Sequence, residues 1–256
     1  MKLFTVFSLF WTLLLTSMAS IAGNSLLVWP ILQVIEADQT GSALWLENHG
    51  TSDIHLQVRV FSWQQRNDGD HFSDQSEVVA SPPFIEVAPR QKQLIRLIRT
   101  GAIPSQGERA YRIVLDQLPD GTVSEIKESA GLHLQMRYVL PLFTYANGVW
   151  TKARADKPRD SATATQPKLS WRIETIQGKR LLTITNQGVV HARLTSVFFG
   201  KQPAIDASTV MINKGLLGYV LAGSSMSFPI GDIKSDLSTL QLYAKLDDNG
   251  PIVAIR

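Results

Sequence analysis

The sequence contains no cysteine. That excludes disulfides, zinc ribbons and thiol nucleophiles, so the fold has to be held together by core burial. Beyond residue 22 it lacks any long stretch of period 3.6, any Gly-rich phosphate loop and any Gly-X-Ser-X-Gly elbow, which removes the common nucleotide-binding and hydrolase signatures. Histidine is scarce as well: His49, His55, His71, His133 and His191 are dispersed, with no pair at zinc-ligand spacing beside an acid. They read as surface or strand-face residues. Net charge is only +3 and the basic residues are scattered rather than gathered into a stripe, so no nucleic-acid partner is expected.

What is present is ordinary for a packed globular protein: 256 residues, 44% hydrophobic and 18% charged. The first 22 residues stand apart, with Lys2, then "LFTVFSLFWTLLL", then the small-residue stretch "SMASIAG". This is the pattern of a secretory signal, with cleavage expected after Ala22. The apolar run is short of the ~20 residues a bilayer requires, and no second run follows, so the mature chain is expected to be soluble without stable membrane insertion.

The mature chain reads as short alternating or β-branched segments separated by Gly, Pro, Asn and Asp. A first series comprises "LLVWPILQVIEA", "ALWLENHG", "IHLQVRVFSW", "KQLIRLIR" and "AYRIVLDQL", closed by "LHLQMRYVLPLFTY". Pro30 inside the first of these points to an edge or a switch between sheets. The second series is "KLSWRIETI", "RLLTITNQG", "ARLTSVFFG", "YVLAG", "MSFPI", "LQLYAKLDD" and "IVAIR". Between them, "TKARADKPRDSATATQPK" is polar and carries no hydrophobic residue larger than Ala. The expected fold is therefore all-β, two immunoglobulin-like sandwiches with a cleft between them. Its expected parts are a signal at 1–22, a first domain at 23–150, a linker at 151–168 and a second domain at 169–256. "LWLENHG" and "LTITNQG", both ending in Asn-X-Gly, hint that the two sandwiches are related.

The segment "GLHLQMRYVLPLFTY", residues 131–145, poses the functional question. Period-two alternation puts Leu132, Leu134, Met136, Tyr138, Leu140 and Leu142 on one face, while Pro141 belongs at an edge. Six such side chains left in water would forfeit on the order of 10 kcal/mol, comparable to a domain's whole stability. Either they pack in their own sandwich, or a partner strand completes the edge by β-augmentation. Acids clustered beside turns in "DQLPDG" and "LDDNG" keep a third reading open, an exported carbohydrate-active enzyme, which needs two carboxylates facing each other.

Taken together, "ALWLENHG", "SPPFIEVAPRQKQLIRLIR", "ERAYRIVLDQLP", "LHLQMRYVLPLFTY", "LTITNQG" and "YAKLDDNG" resemble the periplasmic pilus-assembly chaperones of the chaperone-usher pathway. This is the PapD-like family, and the nearest variety is the archaic or alternative branch associated with spore-coat-U-like pilins. The resemblance implies a non-enzymatic periplasmic protein without cofactors, whose partners are pilin subunits and an outer-membrane usher. It implies donor-strand complementation: the last strand of the first domain fills the groove of a pilin that lacks its own final strand. On this sequence that role falls to Leu132, Leu134, Met136 and Tyr138, with Leu140 at the margin and Pro141 ending the pairing. The alternative is a structural or adhesive surface protein of two immunoglobulin-like domains.

The sequence also departs from the family. Many members hold the pilin's terminal carboxylate with two basic residues, at positions where this chain has Leu32 and Pro141. A buried carboxylate still needs charge or donors. Strand topology brings Arg99 and Arg112 toward the cleft as the leading replacements, with Arg96 and Arg137 in reserve. The family's interdomain charge network maps onto Glu108 and Asp248, with Tyr145 standing where its basic member would be.

Overall fold

The computed structural model describes residues 26–119, 135–231, 233, 236–247 and 250–256; the signal segment falls outside them. Among these residues every regular element is a strand apart from one three-residue 3-10 turn, Ser161–Thr163. The first sandwich is built from β1 (Leu26–Trp29), β2 (Gln33–Ile35), β3 (Gly41–Asn48), β4 (Ile54–Arg66), β5 (Gly69–Ser73), β6 (Val78–Ser81), β7 (Phe84–Val87), β8 (Lys92–Arg99), β9 (Glu108–Gln117) and β10 (Arg137–Tyr145). One of its sheets runs β1-β3-β8-β6, the other β2-β10-β9-β4-β5 with β7 also on β4. The second comprises β11 (Leu169–Ile176), β12 (Lys179–Asn186), β13 (Ala192–Gly200), β14 (Ser208–Val220), β15 (Ser225–Pro229), β16 (Gln241–Lys245) and β17 (Ile252–Ile255). Its sheets run β11-β12-β15 and β14-β13-β16-β17.

"LLVWPILQVIEA" is two strands, not one. Pro30 has no amide hydrogen to give a ladder, so pairing stops there. β1 lies antiparallel to β3 in one sheet, and β2 lies parallel to β10 in the other. This is the sheet switch expected at Pro30. β5, β6 and the first part of β14 have no counterpart in the sequence reading. β5 is exposed along nearly its whole length, β6 is four residues long, and the first part of β14 sets Val210 and Ile212 against the second core; backbone pairing to β4, β8 and β13 holds all three in place.

Each sandwich closes over its own core. Ile54, Leu56, Ile95, Leu97, Ile113 and Leu115 are among those filling the first, and Leu182, Ile184, Leu194, Val197, Phe199 and Leu242 the second. The two Asn-X-Gly fragments perform the same task in each. Asn48 donates to Ser52 O at 2.7 Å and Val87 O at 2.8 Å, and accepts from Gly50 N at 2.8 Å. Asn186 donates to Val190 O at 2.8 Å and Val220 O at 3.2 Å, and accepts from Gly188 N at 2.9 Å. Both side chains are fully buried, so each asparagine satisfies backbone groups that water cannot reach. Asn48→Ala strips this partner from the buried Val87 O and Gly50 N and is expected to cost about 2 to 4 kcal/mol in a denaturant melt.

The polar linker is more than a connection. Arg154 donates to Glu36 at 3.2 Å, Asp38 at 2.8 Å and Asp156 at 2.7 Å, Lys157 bonds Asp38 at 2.7 Å, and Arg159 bonds Glu36. Hydrogen bonds from Lys157 and Arg154 hold the Asp38 carboxyl at about 2, well below the usual range. The linker is thereby tied to the turn that follows β2.

Candidate functional site

β4, β9 and β10 share a sheet with one face in the first core and the other turned outward. On β10, Leu140 and Leu142 face inward; Arg137, Val139, Pro141, Phe143 and Tyr145 face outward. On β9 the outward side carries Glu108, Ala110, Arg112, Val114 and Asp116, and on β4 it carries Arg59, Phe61, Trp63 and Gln65. The second domain covers one end of this face. Trp63, Phe143 and Tyr145 join Leu221 in a third apolar cluster between the sandwiches, with Tyr219 at its margin.

Polar contacts fix that junction. His191 Nδ1 lies 2.8 Å from Glu108 Oε2, and its ring stacks on Phe143 with centroids 3.5 Å apart. Gln65 uses its side-chain amide as a strand would use its backbone, donating to Tyr219 O at 3.0 Å and accepting from Leu221 N at 2.8 Å. The same amide nitrogen donates to Asp70 at 3.0 Å, and Trp63 Nε1 donates to that carboxylate at 2.8 Å. Gly107 has φ +59, and a Cβ there would meet Val189 O at 2.8 Å, so only glycine fits this approach between the domains.

Of the residues expected in the interdomain charge network, Glu108 and Tyr145 are described. Glu108 meets His191 across the junction, while Asp248 lies outside the described residues. Tyr145 lies 3.1 Å from Thr151, hydroxyl to hydroxyl, and burial, aided by the negative charge of Glu108, pushes its phenol pKa upward.

The apolar ladder divides in two. Leu132 and Leu134 lie outside the described residues. Leu140, 8% exposed, and Leu142, 0%, belong to the first domain's own core, so Leu140 is already committed there. Tyr138 packs partly against that core and its hydroxyl reaches Leu26 O at 3.4 Å. Met136 is 45% exposed. Pro141 does not end the strand; it sits within β10 opposite Arg112. Its missing donor is tolerated because β2 pairs with β10 only from Leu142 to Thr144. From Arg137 to Pro141, β10 is therefore hydrogen-bonded on one side only among the described residues, beside an exposed Val139.

The four arginines separate clearly. Arg99 turns away from the cleft and donates to Ala37 O at 3.1 Å and Gln39 O at 2.9 Å, pinning the turn after β2. Arg137 is tied to Asp116, which also accepts from Arg59 at 2.6 Å. Burial raises the Asp116 pKa, but these two guanidiniums outweigh it and hold the carboxyl below its ordinary value. Arg96 is an exposed residue of the cleft rim.

Arg112 alone of the four is both in the cleft and desolvated. Its guanidinium lies 3.5 Å from the centroid of Trp63 and 5.2 Å from that of Tyr219, and its Nε is buried with no acceptor. Burial lowers its pKa from the ordinary arginine value, opposed by Asp70 and Tyr219. A planar cation lying over the Trp63 ring, with Tyr219 beside it and its side chain lining the cleft, is suited to a carboxylate. Trp63, Gln65, Tyr219 and His191 were not singled out from sequence. For Trp63 and Gln65 the signal exists: on β4 the large side chains shift from even positions, Ile54 to Val60, to odd ones, Phe61 and Trp63.

Two immunoglobulin-like sandwiches, a cleft at their junction and a strand edge left open beside it define the class of molecule. Residues 31–149 match the family described as pili and flagellar-assembly chaperone, PapD N-terminal domain. A chain of the CsuC-CsuE chaperone-tip adhesion subunit pre-assembly complex, from archaic chaperone-usher Csu pili of Acinetobacter baumannii, is 30% identical. It aligns with a TM-score of 0.70 over 90% of this chain and 98% of its own. The Escherichia coli chaperone DraB shares the fold at 20% identity and TM-score 0.59, over 91% and 98% of the two chains. So does the Salmonella enterica complex of SafA pilin with SafB chaperone, at 18% and 0.61, over 90% and 94%. Among curated protein sequences there is no match. The chain belongs to the PapD-like pilus-assembly chaperones.

Proposed function

We propose that this protein is a periplasmic chaperone that captures pilus subunits by donor-strand complementation and delivers them to an outer-membrane usher. Residues 1–22 direct export, 23–150 form the subunit-binding domain, 151–168 the linker and 169–256 the second domain. The observation that carries the reading is the one-sided pairing of β10 from Arg137 to Pro141. An exposed strand edge flanked by apolar side chains is a template for another chain.

Leu132, Leu134 and Met136 enter the subunit's groove, Tyr138 sits at the margin, and Leu140 stays in the chaperone's own core. Arg112 receives the subunit's terminal carboxylate. Apolar burial and new sheet hydrogen bonds supply the driving force, so no catalytic step or cofactor is required. The 30% identity to a chain from an archaic chaperone-subunit complex favours a spore-coat-U-like client. Co-expression with such a pilin is expected to yield a one-to-one complex by size exclusion. A pilin that aggregates equally with and without the chaperone would refute the reading.

A further inference from the structure

Arg112 stands at the boundary between the domains, and its two aromatic walls come from opposite sides of it. Trp63, on β4, lies 3.5 Å from the guanidinium and is braced by its bond to Asp70. Tyr219, near the end of β14, lies 5.2 Å away and meets the Trp63 ring edge-on with centroids 5.5 Å apart. β13 pairs Tyr219 with Arg193 within the second domain, and from the first domain Gln65 bonds the backbone of both Tyr219 and Leu221. Asp70, Trp63, Arg112, Tyr219 and Gln65 thus close a ring that crosses the domain junction twice.

An arginine fork binds a carboxylate well only if its plane is held in register with the two oxygens. With one wall removed, the guanidinium gains rotamers and water, and its advantage over a solvated cation falls. We infer that Tyr219 of the second domain, latched by Gln65, positions Arg112 for a client's terminal carboxylate, so that the binding site is complete only when the two domains are docked. Tyr219 is a positioning residue here, and the second domain takes part in capture through it. The inference rests on Arg112 being the carboxylate receptor.

The test is titration calorimetry of the full chain with a synthetic peptide copying the last strand of a spore-coat-U-like pilin, made once with a free carboxylate and once as the carboxamide. For the unaltered protein the acid is expected to bind about 30-fold more tightly than the amide. Tyr219→Leu is expected to cut that ratio to about 3-fold, whereas Tyr219→Phe, which keeps the ring, retains it. Gln65→Met, which removes the latch without touching Arg112, is expected to lower the ratio as Tyr219→Leu does. Because acid and amide are compared on the same preparation, partial misfolding cancels from the ratio. Equal weakening of acid and amide by Tyr219→Leu, or a Tyr219→Phe variant as poor as Tyr219→Leu, overturns the inference. Acid and amide binding alike to the unaltered protein overturns the carboxylate role of Arg112 itself, a distinct result.

Discussion

Changing Leu134 and Met136 together to Asp is expected to abolish recovery of the pilin complex while leaving the free chaperone folded. Met136 is exposed beyond the end of the first core, and period two in the sequence puts Leu134 on the same face as Met136. The chaperone therefore loses little of its own packing, and its melting temperature should move by no more than about 2 °C, as for surface changes generally. The client loses two apolar insertions, each about 1.5 to 3 kcal/mol, and must bury a carboxylate in place of each. Together these exceed about 4 kcal/mol, a loss of at least roughly 1000-fold in affinity. Gln135→Asp falls on the opposite face and should retain the complex. The measurement is co-purification from the periplasm, quantified as pilin recovered per chaperone. Undiminished recovery with Leu134→Asp/Met136→Asp would exclude the ladder as the donated segment.

Legibility differed by element. β8, Lys92–Arg99, coincides with the segment "KQLIRLIR" because an alternating strand between two turn signals leaves little freedom in its bounds. Pro89 signals the turn before it, where Arg90 takes φ 63 and its amide hydrogen bonds Asn48 O at 2.8 Å. Period two tells which side chains share a face, not where along that face a domain's own core stops, so only the structure shows that Leu140, at the margin of the ladder, is held in the first core. In the sequence Arg99 and Arg112 are equivalent, because β8 ends and β9 begins toward the same, cleft-side end of the first sandwich, although the two strands lie in different sheets. They diverge because Arg99 meets the backbone carbonyls of Ala37 and Gln39, and Arg112 meets two rings, one supplied from across the domain junction. The Glu108–His191 contact spans 83 positions, and no local pattern marks His191 as its partner.

That contrast between arginines makes the second large effect a discriminating one. Arg112→Ala is expected to weaken pilin capture by about 100-fold, since removing one partner of a desolvated charge pair costs about 2 to 5 kcal/mol. Free-chaperone stability should change little, because Nε of Arg112 is an unpartnered buried donor and its removal ends a desolvation cost as well as two ring contacts. Arg112→Lys should recover only part of the loss: an ammonium keeps the charge but has neither the planar fork nor the stacking face. Arg99→Ala should do the reverse. It frees the carbonyls of Ala37 and Gln39, lowers the melting temperature, and leaves affinity per folded molecule near that of the unaltered protein. Measuring melting and pilin affinity on the same preparations separates the two. Were Arg112→Ala to bind pilin as the unaltered chaperone does, the terminal carboxylate would have to be received elsewhere, and Arg96 on the cleft rim would be the next residue to replace.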